Sequence, residues 1–334
     1  VKRITMEDVA QKAGVSKSTI SQYVNGRFHY MATDTKEKIE EAIKQLNYRP
    51  NALAQGLRQR KSKTIAVIVA NILHAFSTEV IRAIEDTCHE QGVHVIVCNT
   101  DNDVVKEKNY LEMLYAKQVD GFIVFPTNKN VQLLAAYAEE GFPLVFVDRI
   151  LEQVSVNTVL VDNNEMIRIA VRALVAKGKS KIVLMLPEMN DPITPRIERR
   201  EAFESMIMEL GLSEQENQMI AVPIDKIPSE LKAILNGKNR PDSIIAGNDF
   251  VLKKTLHCLQ ELAVQVPEEL ALVGLDDVPF ASFMKPAITT VAQPTYAIGK
   301  KAATLLLEGI ADDSRLEEYS IYRFKPIFKG RNSI

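Results

Sequence analysis

Residues 5–25 read TMEDVAQKAGVSKSTISQYVN, and this stretch decides what stands at the front of the chain. Thr5 and Asp8 have the spacing of a capping box, in which a hydroxyl accepts a backbone N–H and an acid reaches back to the cap. Val9, Ala10 and Ala13 give a short apolar face, and Gly14 suits the left-handed turn that closes a helix. Ser16 is a good N-cap for a second helix over Lys17 to about Val24. Ile20, Tyr23 and Val24 fall at i, i+3 and i+4 and turn inward, leaving Lys17, Ser18, Ser21, Gln22 and Asn25 outside. Asn25-Gly26 ends it. Asp34 and Glu37 form a further capping pair, and Ile39, Ala42, Ile43 and Leu46 supply the stripe of a third helix. The pattern is a helix-turn-helix with a supporting helix. After Pro50, Asn51–Leu57 spells a helix of barely two turns, marginal alone and weakened by Gly56 by roughly 0.5–1 kcal/mol relative to Ala.

Charge separates this head from the rest. Between Val1 and Lys63 stand thirteen Lys and Arg against six Asp and Glu, net +7, whereas the remainder has 28 basic and 37 acidic residues, net −9. A small basic module on a larger acidic body fits a polyanion-binding head on a regulatory or catalytic body. The 334 residues leave room for two or three domains, and 46% hydrophobic with 25% charged residues is the balance of a globular protein. Ile65–Ala70, the longest apolar run, is far short of the roughly 20 residues a membrane span needs. No membrane contact is expected. No cationic start leads into an apolar stretch with a small-residue cleavage site. Cys88, Cys98 and Cys258 are too scattered for a disulfide framework or a CxxC metal site. A cytoplasmic protein without metal or cofactor is expected.

From Lys63 onward, apolar runs and amphipathic stretches alternate. Strands at Thr64–Ala70, Val93–Cys98, Gly121–Phe125, Leu144–Val147 and Val159–Val161 are separated by helices at about Phe76–Gln91, Val105–Lys117 and Val131–Glu140. A second set runs from helix Glu165–Lys177 to strand Leu270–Leu275. Two such units imply two parallel sheets flanked by helices, two similar lobes, and ligands outside the carboxyl ends of the strands. No phosphate loop, dinucleotide fingerprint, zinc-protease or nucleophile-elbow motif occurs. Gly178-Lys179-Ser180 mimics only the end of a phosphate loop, since position 173 is Ala. His89 and His94 flank a helix-to-strand turn and are expected to be surface or core residues.

Taken together, Asp8-Val9-Ala10, Ala13-Gly14-Val15-Ser16, Thr19-Ile20-Ser21, Asn25 and Asn47-Tyr48-Arg49-Pro50-Asn51-Ala52 resemble the headpiece of the lactose-repressor (LacI/GalR) family of bacterial transcription regulators. VDGFIVFP, FPLVFVDR, VLVDNNE, PDSIIAGND, VPEELALVGLDD and AITTVAQPTYAIGKKAATLLLEGI look like that family's periplasmic-binding-protein-like core, so the resemblance spans essentially the whole chain. It implies an all-α helix-turn-helix headpiece over 1–48, a hinge helix and linker over 49–63, and a two-lobed α/β effector-binding and dimerisation core with parallel sheets over 64–334. Lobe one would take about 64–162 plus 294–323, and lobe two about 163–293 plus 324–334. The function implied is a DNA-binding transcription regulator of the repressor type, a homodimer on double-stranded operator DNA. Helix 17–24 would enter the major groove with Lys17, Ser18 and Gln22 at base edges, while Ser16, Thr19, Ser21 and Asn25 hold phosphates or neighbouring backbone. Thr5 and Tyr48 are also among the DNA-facing positions. Asn51, Ala54 and Leu57 fall on the hinge helix, which in the family pairs with its twin in the minor groove and wedges a leucine between base steps. Leu57 is either that wedge or a buried linker residue.

In that fold an effector lies between the lobes. The matching positions are Asn71, Phe76 and Ser77 after strand one, Asp148 and Arg149, Arg199, Asn248, Asp276 and Gln293. An aromatic face, carboxylates, amides and a guanidinium fork are the set a polyhydroxylated ligand needs. Alternatives stay open: Asp148-Arg149 as a surface loop pair, Asn248 as a helix N-cap, and Asp276-Asp277 as a strand terminator. Arg196 competes with Arg199, because Ala202 stands where the family usually has Gly. The effector expected is a sugar, sugar acid or sugar phosphate, and the sequence also looks like regulators of 2-keto-3-deoxygluconate catabolism. The rival classes are an enzyme of carbohydrate metabolism with a basic appendage and a free solute-binding protein, the latter disfavoured without a leader.

The family usually carries Arg where this chain has Gln22. Arg addresses guanine O6 and N7, whereas Gln pairs in bidentate fashion with adenine N6 and N7. Selection of bound sites from random DNA is expected to return adenine at that base pair. A retained guanine would mean that Gln22 is merely solvated.

Overall fold

Thr5 closes its capping box on α1 (Met6–Ala13): its hydroxyl accepts the Asp8 N–H, and the Asp8 carboxylate accepts the Thr5 N–H at 2.7 Å. Gly14 ends the helix at φ +67°, a left-handed conformation cheap only without a Cβ. The Ser16 hydroxyl then accepts the Thr19 N–H at 3.1 Å and starts α2 (Lys17–Val24). The third helix departs from expectation. In α3 (Thr33–Gln45), Ala32 stands at the cap without a side-chain bond, so Asp34 lies inside the first turn and instead pairs with Lys38 at 2.6 Å. The acid is too far along the chain to cap, and Glu37 is exposed. Val9, Ile20, Ile39 and Tyr48 meet in a core of their own.

The computed structural model describes residues 4–29, 31–49, 61–189, 193–312 and 319–334. They divide into two units, this head up to Ser62 and a body from Lys63 onward. Asn51, Ala54 and Leu57 lie outside the described residues.

In the body the alternating pattern becomes two six-stranded sheets. Sheet one holds β1 (Thr64–Val69), β2 (His94–Asn99), β3 (Phe122–Val124), β4 (Leu144–Val147), β5 (Asn157–Val161) and β11 (Ile321–Phe324), in the order β11-β5-β4-β3-β1-β2. Sheet two holds β6 (Ile182–Pro187), β7 (Gln218–Val222), β8 (Ser243–Ala246), β9 (Ala271–Leu275), β10 (Thr289–Ala292) and β12 (Ile327–Lys329), in the order β12-β10-β9-β8-β6-β7. Apart from Thr64 at the start of β1, the central strands are buried along their whole length, as strands covered by helices on both faces must be. The only antiparallel pairing among these strands joins β12 to β10 at the sheet edge. The helices are α4 (Ala75–Glu90), α5 (Val104–Ala116), α6 (Val131–Glu139), α7 (Asn163–Val175), α8 (Thr194–Glu209), α9 (Ile227–Leu235), α10 (Asp249–Glu261) and α11 (Thr295–Ala311). The spans expected from Thr64 to Val161, and those of helix Glu165–Lys177 and strand Leu270–Leu275, are met within about two residues, the usual uncertainty of an element end. Gly178 is a left-handed residue (φ +77°) in the turn after α7, not a phosphate loop.

The chain crosses to sheet two after β5, returns after β10, and crosses again between β11 and β12. The return leg is α11, which packs on α4. Gly299 makes that approach possible: a Cβ there would stand 2.5 Å from the Val80 carbonyl oxygen and 2.7 Å from the Ala83 Cβ. Backbone cannot yield as a flexible side chain does. Gly299→Ala is therefore expected to lower stability by about 1–3 kcal/mol, the range for overpacking a filled core. Denaturant unfolding measures it, and a neutral result would mean that the helices part without cost.

Candidate functional site

Two aspartates define the cleft. Asp148 follows β4 and Asp276 follows β9, and both take left-handed backbone conformations, φ +70° and +77°. Each is pinned by the neighbouring strand: the Asp148 N–H donates to the Val159 carbonyl, and the Asp276 N–H to that of Val291. Asp and Asn tolerate this region better than other side chains. Such strain persists where the surrounding structure over-determines it, and it gathers at functional sites. Burial pushes both carboxyls above the ordinary carboxylate value. Arg149 and Arg199 oppose that shift at Asp148, and Arg199 and Gln293 oppose it at Asp276. His74 also acts on both, so the two acids share one electrostatic neighbourhood around Arg199.

Arg199, near the start of α8, is buried and held in place. Its Nε donates to Asn163 Oδ1 at 2.9 Å and its Nη1 to the Gly247 carbonyl at 2.7 Å. Asn163 donates in turn to Glu198, which Arg323 of β11 grips at 2.6 Å. Arg196, the competing position, donates to the Glu188 carbonyl at 2.6 Å and lines a different hollow. Gln293 Nε2 donates to Asp276 Oδ1 at 2.7 Å, while Asp277 turns to Arg331, Lys329 and Thr290. Asp276 faces inward and Asp277 ties β12 and the terminal residues to the sheet.

Asp148-Arg149 is not a surface pair. Arg149 is buried, with Nη1 on the Pro126 carbonyl at 3.0 Å and Nη2 on Asn102 Oδ1 at 2.8 Å. Asn248 caps α10 through Oδ1, which accepts the Val251 N–H at 2.8 Å. Phe76 is buried against Phe125. Asn71 spends its side-chain oxygen on the Leu73 N–H, and Ser77 is buried in the first turn of α4. Neither bonds to another of the predicted positions. His89 and His94 are exposed.

Sequence reasoning missed a third histidine. His74 Nδ1 lies 2.5 Å from Asp249 Oδ1, its ring rests on Phe250, and the Ala75 N–H donates to the other Asp249 oxygen at 3.0 Å. This bridge joins the end of the β1 connection in lobe one to α10 of lobe two. Two further ties cross between the lobes: the Ile150 N–H to Thr194 Oγ1 at 2.9 Å, and Arg323 to Glu198. Their partners are 175, 44 and 125 residues apart. The one local signal was that His74 and Asp249 each flank a strand end.

Two hollows open on this cleft. One, of about 130 Å³, is bounded by Phe76, Glu79, Asp276, Gln293 and Thr295 among others; the second, of about 140 Å³, by Asn102, Thr127, Lys129, Arg149, Glu188 and Arg196. Both draw residues from each lobe. Among the described residues no group of three or more His, Cys, Asp or Glu could hold a metal, and no helix is long and apolar enough to cross a membrane.

On the head, α2 buries Ile20 and leaves Lys17, Ser18, Gln22 and Asn25 exposed, with Thr19 and Ser21 half-buried. Asn25 Nδ2 donates to the Ser21 carbonyl at 2.6 Å, and Ser16 bonds Ser18 and Thr19. Thr5 is exposed at its cap. Tyr48 differs: its ring is packed in the head's core at 7% exposure, so most of it serves the scaffold.

A helix-turn-helix head followed by a two-lobed, binding-protein-like body defines a DNA-binding regulator with a ligand-binding domain. The family model for bacterial regulatory proteins of the lacI family matches residues 5–51, and that for a periplasmic binding protein-like domain matches residues 171–321. The chain is 42% identical over 335 residues to the probable HTH-type transcriptional regulator EndR of Paenibacillus polymyxa, covering 99% of this chain and 98% of that one. It is 35% identical over 316 residues to the HTH-type transcriptional regulator KdgR of Bacillus subtilis, covering 92% of each. The lac repressor bound to ONPG in its repressed state matches over 100% of both chains with a TM-score of 0.87 at 23% identity, a likeness of fold. The chain belongs to the lacI family of bacterial regulatory proteins. It is a transcription regulator, not an enzyme.

The Asp249 carboxyl carries a pH signature. Burial raises it, but the His74 hydrogen bond and charge and the Ala75 and Phe250 N–H bonds outweigh that and hold it below its ordinary value. A carboxylate so held stabilises the fold above its unfolded value near pH 4, and the contribution is lost as pH falls through the lower folded value. His74→Ala is expected to cost about 1.5–3 kcal/mol at neutral pH, as for hydrogen bonds to charged groups, and to flatten the acid limb of stability. Urea unfolding from roughly pH 3 to 7 reads both, and an unchanged acid limb would count against the bridge.

Proposed function

We propose that the chain represses transcription as a homodimer on a two-fold operator, and that a small carbohydrate-type effector between the lobes sets its grip. The convergence of Asp148, Arg199, Asp276 and Gln293 from both lobes on one cleft carries this reading. A sugar, sugar acid or sugar phosphate presents hydroxyls as both donors and acceptors, and carboxylates, an amide and a fixed guanidinium answer them. Phe76 supplies an apolar face. Arg149, buried in the neighbouring hollow, Asn248, the cap of α10, and Asn71 and Ser77, after β1, complete the set.

One small head reads only a few base pairs, so paired half-sites and a two-fold dimer belong together. The exposed face of α2 directs Lys17, Ser18 and Gln22 to base edges. Thr5, Ser16, Thr19, Ser21, Asn25 and the edge of Tyr48 fix the backbone. Asn51, Ala54 and Leu57 complete the contact through the hinge segment. The domain limits follow the same division, with the head over 1–48, the linker over 49–63 and the body from 64. Work on DNA places the protein in the cytoplasm. The similarity to regulators named for transcriptional control supports the reading.

Effector and operator binding are coupled by about 1–3 kcal/mol in such systems, and the coupling is reciprocal. Saturating operator is therefore expected to change effector affinity by about 5–150-fold, in calorimetric titration with and without operator. Effector affinity unmoved by operator would refute the coupling. Operator affinity is also expected to fall steeply with salt, because phosphate contacts release counterions.

A further inference from the structure

On α5, Glu107, Leu111 and Leu114 fall at i, i+4 and i+7, one stripe of the helix, and all three are buried. Leucines belong on such a face, but Glu is almost never fully buried unless paired. Glu107 is 0% exposed, and its bonds among the described residues all come from uncharged donors: the Thr127 N–H at 2.7 Å, the Thr127 hydroxyl at 2.5 Å and Asn130 Nδ2 at 2.7 Å. Buried charge seldom adds stability over an apolar side chain of similar size. The fold alone does not ask for an acid here.

These donors lie in the connection between β3 and α6. Asn130 stands at the N-cap of α6 without capping it, and its amide nitrogen goes instead to Glu107 and to the Val104 carbonyl at 2.8 Å. The Thr127 N–H belongs to the same peptide group as the Pro126 carbonyl, and that carbonyl accepts Arg149 Nη1 at 3.0 Å. A trans peptide is planar, so its N–H and C=O point opposite ways. One peptide dipole therefore stands between a buried anion and a buried cation, each at the end that suits its sign. Turning that peptide would break both bonds at once.

Arg149 is seated on the Pro126 carbonyl and on Asn102 Oδ1, the latter at 2.8 Å. Burial works against its charge; Asp148 and Glu107 support it and Arg196 opposes it. Around Asp148 the charged groups are Arg149 beside it in the chain, Arg199 and Glu198 of α8, and His74 after β1. Burial lifts the Asp148 carboxyl, and Arg149 is the strongest of the charges that oppose the rise. Its Nε lies 3.8 Å from Asp148 Oδ2, a charge contact without a hydrogen bond. Nothing in that contact fixes its own geometry, so the seat of the guanidinium decides how much field reaches the carboxylate.

Resting on the carbohydrate reading above, we propose that Glu107 is a positioning residue of the effector cleft: through the 126–127 peptide it seats the Arg149 guanidinium beside Asp148, and so readies that carboxylate to accept an effector hydroxyl. Glu107 itself touches no ligand. An ionised carboxylate only accepts, whereas a protonated one turns a donor toward the ligand. Keeping Asp148 ionised thus selects for the hydroxyl donors of a sugar.

Thermal shift on the full-length protein against a neutral aldose, its aldonic acid, a 2-keto-3-deoxy acid and the sugar phosphate identifies the responding probe. Calorimetry with that probe from about pH 4 to 8 then reads the carboxylate. Glu107→Gln is expected to weaken binding about three- to thirtyfold, within the range for coupled neighbours. It is also expected to move the acid limb of binding to higher pH, because Asp148 loses part of the charge that holds its carboxyl down. Glu107→Asp, shorter but still an anion, is expected to bind better than Glu107→Gln. A packing role alone gives the reverse order, since Gln keeps the shape of Glu. In an Arg149→Gln background, Glu107→Gln is expected to add little further loss. Equal losses with and without Arg149, an unmoved acid limb, or failure of both Glu107 variants to fold overturns the positioning role and leaves the carbohydrate reading standing. Silence from every probe overturns both.

Discussion

A buried guanidinium that shares one electrostatic neighbourhood with two aspartates is the constraint on which the cleft depends. Arg199 has left water almost entirely, and a buried charge is tolerable only when paired and hydrogen-bonded. Asn163 and the Gly247 carbonyl take its donors on the protein side, while Asp148 and Asp276 supply opposite charge. The arrangement is poised rather than settled. Burial lifts both carboxyls above their ordinary values; Arg149 and then Arg199 oppose this at Asp148, and Arg199 and Gln293 at Asp276. Under the proposed function a hydroxylated ligand enters a site whose charges are already oriented, so it does not itself bear the cost of ordering them.

The pair of aspartates is a product of topology. Sheet one and sheet two run in the same strand order, with β4 corresponding to β9 and β5 to β10. In each, the residue after the corresponding strand is an aspartate in the left-handed region whose N–H is captured by the next strand. Repetition of one α/β plan thus delivers two carboxylates to the carboxyl ends of two sheets, where such folds bind ligands. Asp276 shares its side-chain bond with Gln293 of the adjoining β10–α11 connection, whereas Asp148 is followed by Arg149. The symmetry of the scaffold ends at that point, and the two halves of the cleft acquire different chemistry.

Much of this was legible in the chain. The β-α rhythm located the central strands because each is short, apolar and buried throughout, and the capping residues Thr5, Ser16 and Gly14 are local devices that announce themselves. Strands β11 and β12 were not legible. They are edge strands with alternating or complete exposure, so no apolar run marks them. The cap assigned to Asp34 failed because a helix boundary two residues earlier turns a capping acid into an ion-pair partner. Arg149 could be read from sequence as a surface residue or a site residue, and only burial separates the two. His74 and Asp249 each follow a strand end but nothing in the sequence pairs them, since their bond exists only once the two lobes are folded.

That last contact bears on how a ligand between the lobes could act at a distance. Each lobe is a sheet covered by helices and packed without room to deform, so strain passes through it rather than being absorbed. What can change is the set of ties across the cleft: His74 with Asp249, Ile150 with Thr194, and Arg323 with Glu198. The third is joined through Glu198 and Asn163 to Arg199 itself. A ligand that draws on Arg199 therefore bears on the same chain of bonds that fixes β11 of one lobe against α8 of the other. Since a ligand shifts an equilibrium only by its differential affinity for two states, under the proposed function these ties are where two states of the body would differ.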